Sequence, residues 1–143
     1  MSRYTITKEF SFEAAHRLEG HPKCGRLHGH SYRVIFELQA EDLNENDRMV
    51  LDYADLDPIK QFIDNTLDHR YLVGLELLGL KGGDPIYLAA DPLWVAVCDV
   101  YRTTAEEMSK WLFNIWKDAY PQLTAVTVCE TAKTSVNTCA VCM

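Results

Sequence analysis

Hydrophobic and polar residues alternate over the first part of the chain. Tyr4, Ile6, Phe10 and Phe12 share one parity, and Thr5, Thr7, Glu9 and Ser11 the other, as in a half-buried strand over 4–12. Alternation returns over 30–40, with Tyr32, Val34, Phe36 and Leu38 set against Arg33, Glu37 and Gln39. The intervening Glu19-Gly20-His21-Pro22-Lys23-Cys24-Gly25 reads as a loop. The period then becomes helical at Leu56, Ile59, Phe62, Ile63 and Leu67, with Asp57-Pro58 as cap and first helical residue. A second helix is predicted from about Thr104 to Ala119. It carries a Met108, Leu112, Ile115, Ala119 stripe and a Thr104-x-x-Glu107 capping box. Two more strands are predicted over 94–101 and 123–131. Residues 74–92, rich in Gly and Pro, read as a long irregular loop of the kind that is functional or mobile. The order strand, strand, helix, loop, strand, helix, strand predicts one α+β domain over 1–143.

Composition narrows the partners. Among 143 residues, 14 Lys+Arg face 21 Asp+Glu, a net charge of −7, and 48% hydrophobic content is enough for a core. An acidic chain without a basic stripe is a poor binder of nucleic acid or of an anionic membrane surface. No secretory h-region and no spanning apolar run occur, so a cytoplasmic protein is expected. The five cysteines, an odd number, are expected as thiols and not as a disulfide framework.

Histidine carries the chemistry. His28 and His30 are two apart at the entrance to a strand, so they point the same way, and His16 continues the Phe10/Phe12 parity of the first strand. If the two strands pair, three imidazoles converge, the donor set of a catalytic zinc site with an open position. Cys24, four residues before His28 and flanked by Lys23 and Arg26, is either a fourth ligand or a catalytic base or nucleophile; spacing leaves both open. Asp68-His69 offers a carboxylate beside an imidazole, although a helix-terminal cation would look the same. Glu130 shares the face of Val126 and Val128, where a carboxylate needs a partner such as the two donors of an amino-pyrimidine; a solvent-facing edge glutamate is the plainer alternative.

The blocks Phe10-Ser11-Phe12-Glu13-Ala14-Ala15-His16-Arg17-Leu18, Cys24-Gly25-Arg26-Leu27-His28-Gly29-His30, Met49-Val50-Leu51-Asp52-Tyr53, Leu67-Asp68-His69-Arg70-Tyr71-Leu72, Thr104-Ala105-Glu106 and Cys129-Glu130-Thr131 occur in one order from about residue 8 to 132. Together they resemble the 6-pyruvoyl-tetrahydropterin / 6-carboxy-tetrahydropterin synthase family. The resemblance implies the tunnelling fold, a four-stranded antiparallel sheet with two helices on one face, closing into a barrel as a trimer and stacking as a homohexamer. It also implies Zn²⁺ on His16, His28 and His30; proton transfer by Cys24, Asp68 and His69; and a pterin anchored by Glu130 with Thr104 and Glu106 near the pocket. Sites would lie between subunits.

Three residues separate Cys24 from His28, a gap that resembles the carboxy-type members of the 7-deazaguanine (queuosine) pathway. The implied reaction converts 7,8-dihydroneopterin triphosphate to 6-carboxy-5,6,7,8-tetrahydropterin, acetaldehyde and triphosphate, with no redox cofactor. A pyruvoyl-forming or folate-pathway enzyme of the same fold, and a non-catalytic Cys-His₃ zinc module, are the rivals. Lys23, Arg17 and Arg26 are candidate cations for the triphosphate, and Cys139-Ala140-Val141-Cys142 is an isolated C-x-x-C.

Overall fold

The computed structural model describes residues 3–139. Two 13-residue strands, β1 (Tyr4–His16) and β2 (His28–Ala40), form an antiparallel hairpin in full register from Tyr4 opposite Ala40 to His16 opposite His28. That register puts Phe10, Phe12 and Ala14 on the same face as Tyr32, Val34 and Phe36. A first helix, α1 (Asp57–Phe62), is entered through a 3₁₀ turn (Tyr53–Leu56) and runs on into a π turn (Ile63–Leu67). Asp52 caps the 3₁₀ turn through the Ala54 N–H, so Asp57 is not the cap but the first residue of α1. The longest helix, α4 (Ala105–Trp116), presents Met108, Leu112 and Phe113 to the same sheet face. Both α1 and α4 therefore cover one face, and their apolar residues merge with those of the strands in one core.

The sheet differs from the expected four strands. Among the described residues it has six, in the order β4 (Val95–Val97), β3 (Arg70–Val73), β1, β2, β5 (Leu123–Thr131) and β6 (Thr134–Cys139), and is mixed. β5 and the edge strand β6 continue the antiparallel part. β3 and β4 add a parallel extension on the other side of β1. The strand predicted over 94–101 shrinks to three residues. Its continuation turns away, with Val100 N–H bonded to the Cys98 carbonyl and the Val100 and Tyr101 carbonyls taken by the Leu75 and Glu76 N–H groups.

The segment 74–92 is not irregular. It folds into α2 (Leu75–Leu78), α3 (Pro85–Ala89) and the start of a 3₁₀ turn (Pro92–Trp94). Asp84 caps α3 at the Tyr87 N–H and is itself buried. Cys139 is disulfide-bonded, against the expectation of thiols throughout; Cys142 of the C-x-x-C lies outside the described residues. No helix among the described residues is long and apolar enough to cross a membrane.

Candidate metal centre and active site

The β1–β2 register brings His16 opposite His28, with His30 two residues further along the same face. One ligand atom from each of the three lies within 4.8 Å of the others. The rings stand edge to face, 4.6 Å apart for His16 and His28 and 5.0 Å for His28 and His30. Backbone carbonyls orient two of them. His16 Nδ1 lies 2.9 Å from the Thr103 carbonyl, and His28 Nδ1 lies 2.7 Å from the Arg26 carbonyl. Donation from Nδ1 leaves Nε2 with its lone pair, the tautomer a metal requires.

Electrostatics agree. Burial, reinforced by His28, lowers the pKa of His16 to about 4, and burial together with His28 also lowers that of His30. These imidazoles are neutral at neutral pH. The Nε2 atoms of His16 and His30 are buried without a hydrogen-bond partner, which is unfavourable for a polar atom unless something binds it. A metal ion fits this donor set: three converging imidazoles, the His16 and His28 rings held from behind by carbonyls, and the buried Nε2 atoms of His16 and His30 without another partner.

The other candidate residues are placed as follows. Cys24 is half-buried in the loop between β1 and β2 and does not belong to the metal-ligand cluster. Asp68 and His69 follow the π turn. The Asp68 Oδ1 accepts from the Glu13 N–H at 2.9 Å, and the His69 N–H donates to the Glu13 carbonyl at 2.6 Å, so the pair is clamped to β1. Asp68 Oδ2 lies 2.9 Å from His69 Nδ1. Burial pulls the Asp68 carboxyl up, but the Glu13 N–H and His69 outweigh it and hold it below the usual carboxylate range. His69 adopts a positive φ of 59° and leaves its side chain 77% exposed. His69 lines a cavity of about 580 Å³ with Glu13, Gly29, Ser31, Tyr71 and Trp94, and His30 borders it; Gly29 and Ser31 alternate with His28 and His30 along β2, and neither His16 nor His28 lines this cavity.

Glu130, on β5, is half-buried with its Oε2 3.8 Å from His30 Nε2, beyond hydrogen-bonding distance. Burial and then Glu106 push its carboxyl above the usual range. Glu106 sits exposed in the first turn of α4, whose cap is Thr104 Oγ1 accepting from the Glu107 N–H at 3.2 Å. Glu107 completes the capping arrangement by reaching back to the Tyr101 and Arg102 N–H groups.

Arg17 is not a free cation for an anionic substrate, because Asp84 and Glu19 engage it at 2.7 and 2.6 Å. Several partners escaped the sequence reading. Thr103 and Arg26 act through main-chain carbonyls, which carry no side-chain signature. His21 Nδ1 accepts the Lys23 and Cys24 N–H groups and so shapes the Cys24 loop. Asp84-Pro85 did carry a signal, as a cap followed by Pro at the start of a helix.

A family model for 6-pyruvoyl tetrahydropterin synthase matches residues 5–140. A 6-carboxy-5,6,7,8-tetrahydropterin synthase of Haemophilus influenzae is 33% identical over 134 residues, covering 90% of this chain and 93% of the relative. One from Synechocystis is 36% identical over 137 residues, covering 90% and 87%. In structure, an uncharacterized protein of Wolinella succinogenes is similar at a TM-score of 0.80 and 24% identity, over 98% of this chain and 99% of that one. The 6-pyruvoyl tetrahydropterin synthase of Caenorhabditis elegans is similar at a TM-score of 0.69 and 24% identity, over 98% and 97%; likenesses at this identity bear on the fold alone. With the family model spanning nearly the whole chain and relatives above 30% identity along most of it, the chain belongs to the 6-pyruvoyl tetrahydropterin synthase family.

Proposed function

We propose that the protein is a zinc-dependent lyase of the carboxy type. It converts 7,8-dihydroneopterin triphosphate to 6-carboxy-5,6,7,8-tetrahydropterin, acetaldehyde and triphosphate, in the cytoplasm, for 7-deazaguanine (queuosine) synthesis. The observation that carries this reading is the His16–His28–His30 cluster, with ligand atoms converging within 4.8 Å and two rings held from behind by carbonyls. The printed names of the relatives at 33% and 36% identity favour the carboxy product over the pyruvoyl one.

His16, His28 and His30 would hold Zn²⁺, which when bound polarises the substrate's side-chain oxygens and acidifies the adjacent bonds. The protein's own groups move the protons. Asp68 accepts the Nδ1–H of His69, which leaves His69 Nε2 as the basic atom. Cys24 is the second proton-transfer group; its place outside the ligand cluster disfavours a closed Cys-His₃ structural site. Glu130 accepts the paired donors of the pterin's amino-pyrimidine edge, with Thr104 and Glu106 bordering the pocket. The exposure of His69 supports a site completed between copies of the chain in a homohexamer, since a single copy leaves it open to water.

Incubating the zinc-loaded protein with 7,8-dihydroneopterin triphosphate and identifying every product tests this. Acetaldehyde with 6-carboxytetrahydropterin is the expected result. A 6-pyruvoyl product without acetaldehyde overturns the carboxy assignment.

A further inference from the structure

The segment 74–92 carries one carboxylate that is wholly removed from water. The Asp84 side chain is 0% exposed. Its Oδ1 accepts from Arg17 Nε at 2.8 Å and lies 2.7 Å from Arg17 Nη2. Its Oδ2 accepts from the Tyr71 hydroxyl at 2.7 Å and from the Tyr87 N–H at 3.0 Å. Burial raises the Asp84 carboxyl, but these donors hold it below the usual range, so it is a carboxylate. A buried ion pair of this kind is a poor source of stability but a strict constraint on geometry.

Arg17 directly follows His16, and its remaining arm points at the Cys24 loop. Nη1 donates to Glu19 Oε2 at 2.6 Å and to the Gly25 carbonyl at 3.2 Å. The peptide groups around Cys24 are thus held on every side. The Cys24 N–H donates to His21 Nδ1 at 2.9 Å, the Cys24 carbonyl accepts from the Leu18 N–H at 2.7 Å, and the next carbonyl is taken by Arg17. Gly25 has no room for a side chain, since a Cβ there would lie 2.5 Å from the His21 carbonyl oxygen. Only a guanidinium can serve Asp84, Glu19 and Gly25 at once, because its donors form a rigid fork.

We propose that Asp84 is a positioning residue for Cys24: by locking the Arg17 fork it fixes the Gly25 carbonyl, and through it the loop that presents the thiol. The segment 74–92 is on this view part of the site's support. The proposal rests on the reading above only in taking Cys24 as a proton-transfer group; the placement of its thiol can be measured without turnover.

The test uses Asp84→Asn and Arg17→Lys in the full-length, zinc-loaded protein. Three quantities are followed: iodoacetamide alkylation of Cys24 across pH, read by peptide mass; metal content; and kcat and KM. We expect both variants to keep their metal, to alkylate at Cys24 several-fold faster, and to lose about tenfold or more in kcat with KM little changed, as for a misplaced reacting group. Arg17→Lys keeps the charge but loses the fork, so a merely charge-neutralising pair would survive it and a positioning one would not. Should Asp84→Asn fail to fold, Arg17→Lys decides. Wild-type alkylation kinetics and kcat in a folded variant overturn the proposal. A wild-type protein without lyase activity overturns the assigned reaction instead, and alkylation still decides the role of Asp84.

Discussion

His16 Nδ1 and the carbonyl oxygen of Thr103 are 2.9 Å apart. The bond joins the last residue of β1 to the turn that opens α4, 87 residues later. It sets the imidazole tautomer and aims Nε2 at His28 and His30. The acceptor is main chain, so Thr103→Ala removes only the hydroxyl, which lies 3.2 Å from the same nitrogen. Thr103→Ala is expected to weaken metal binding by less than about tenfold, below the usual range for lost outer-shell partners. His16→Ala or His28→Ala is expected to bring metal content close to zero. Competitive chelator titration and elemental analysis check both.

Glu130 is expected to oppose folding at neutral pH. Its carboxyl is held above its ordinary 4.5 by burial and then by Glu106. A group whose folded-state pKa is raised contributes stability that is complete below the unfolded value and lost as pH rises through the folded one. At pH 7 the ionised carboxylate is therefore unfavourable, and Glu130→Gln is expected to melt at a higher temperature. Below about pH 4.5 the carboxyl is protonated in both states, and the difference should vanish. The same variant should lose turnover, because an amide cannot accept both donors of an amino-pyrimidine. Melting curves of the metal-free protein at pH 7 and pH 4 decide the sign.

The half of the fold that alternates was legible. β1 and β2 show period-two burial because one face meets α1 and α4 and the other does not, whereas β5 buries Ala125 with Val126 and Val128 with Cys129. The histidine cluster followed from parity, since a cross-strand pair such as His16 and His28 must share a face. β6 was not legible: in Thr134-Ser135-Val136-Asn137-Thr138-Cys139 only Val136 packs against the core and the strand is edge-placed, so its pairing with β5 leaves no repeating hydrophobic pattern. β3 was missed for the opposite reason, as Tyr71, Leu72 and Val73 are all buried and nothing alternates. Part of the order of segment 74–92 comes from a buried carboxylate, Asp84, whose partners Arg17 and Tyr71 lie 67 and 13 residues away in sequence, beside the Leu75 and Glu76 N–H bonds to the Val100 and Tyr101 carbonyls. No local pattern reports such a contact.

Cys24→Ala separates catalysis from metal binding. Cys24 is outside the His16–His28–His30 cluster, so the variant should retain its metal and its melting temperature. Turnover should fall by at least about 100-fold, the scale of a lost proton-transfer group. Elemental analysis beside product formation measures the two together. Loss of metal along with activity would instead make Cys24 a ligand.

Metal removal should leave the fold standing. The core is built from residues such as Phe36, Leu38, Ile59, Leu112 and Val126, and the histidines meet it at Tyr32, against which His16 and His30 stand edge-on. This distinguishes the site from a structural zinc centre, whose binding free energy is its folding free energy. A chelator is therefore expected to abolish activity while the far-ultraviolet circular dichroism stays native. The melting temperature should fall, because a ligand bound only by the native state at about 100 times its Kd stabilises by about 2.7 kcal/mol. Returning zinc should restore both activity and melting temperature in proportion to occupancy. The three ring nitrogens meet at the end of the β1–β2 hairpin, and that hairpin has its own ladder and the core it shares with α1 and α4 to hold it.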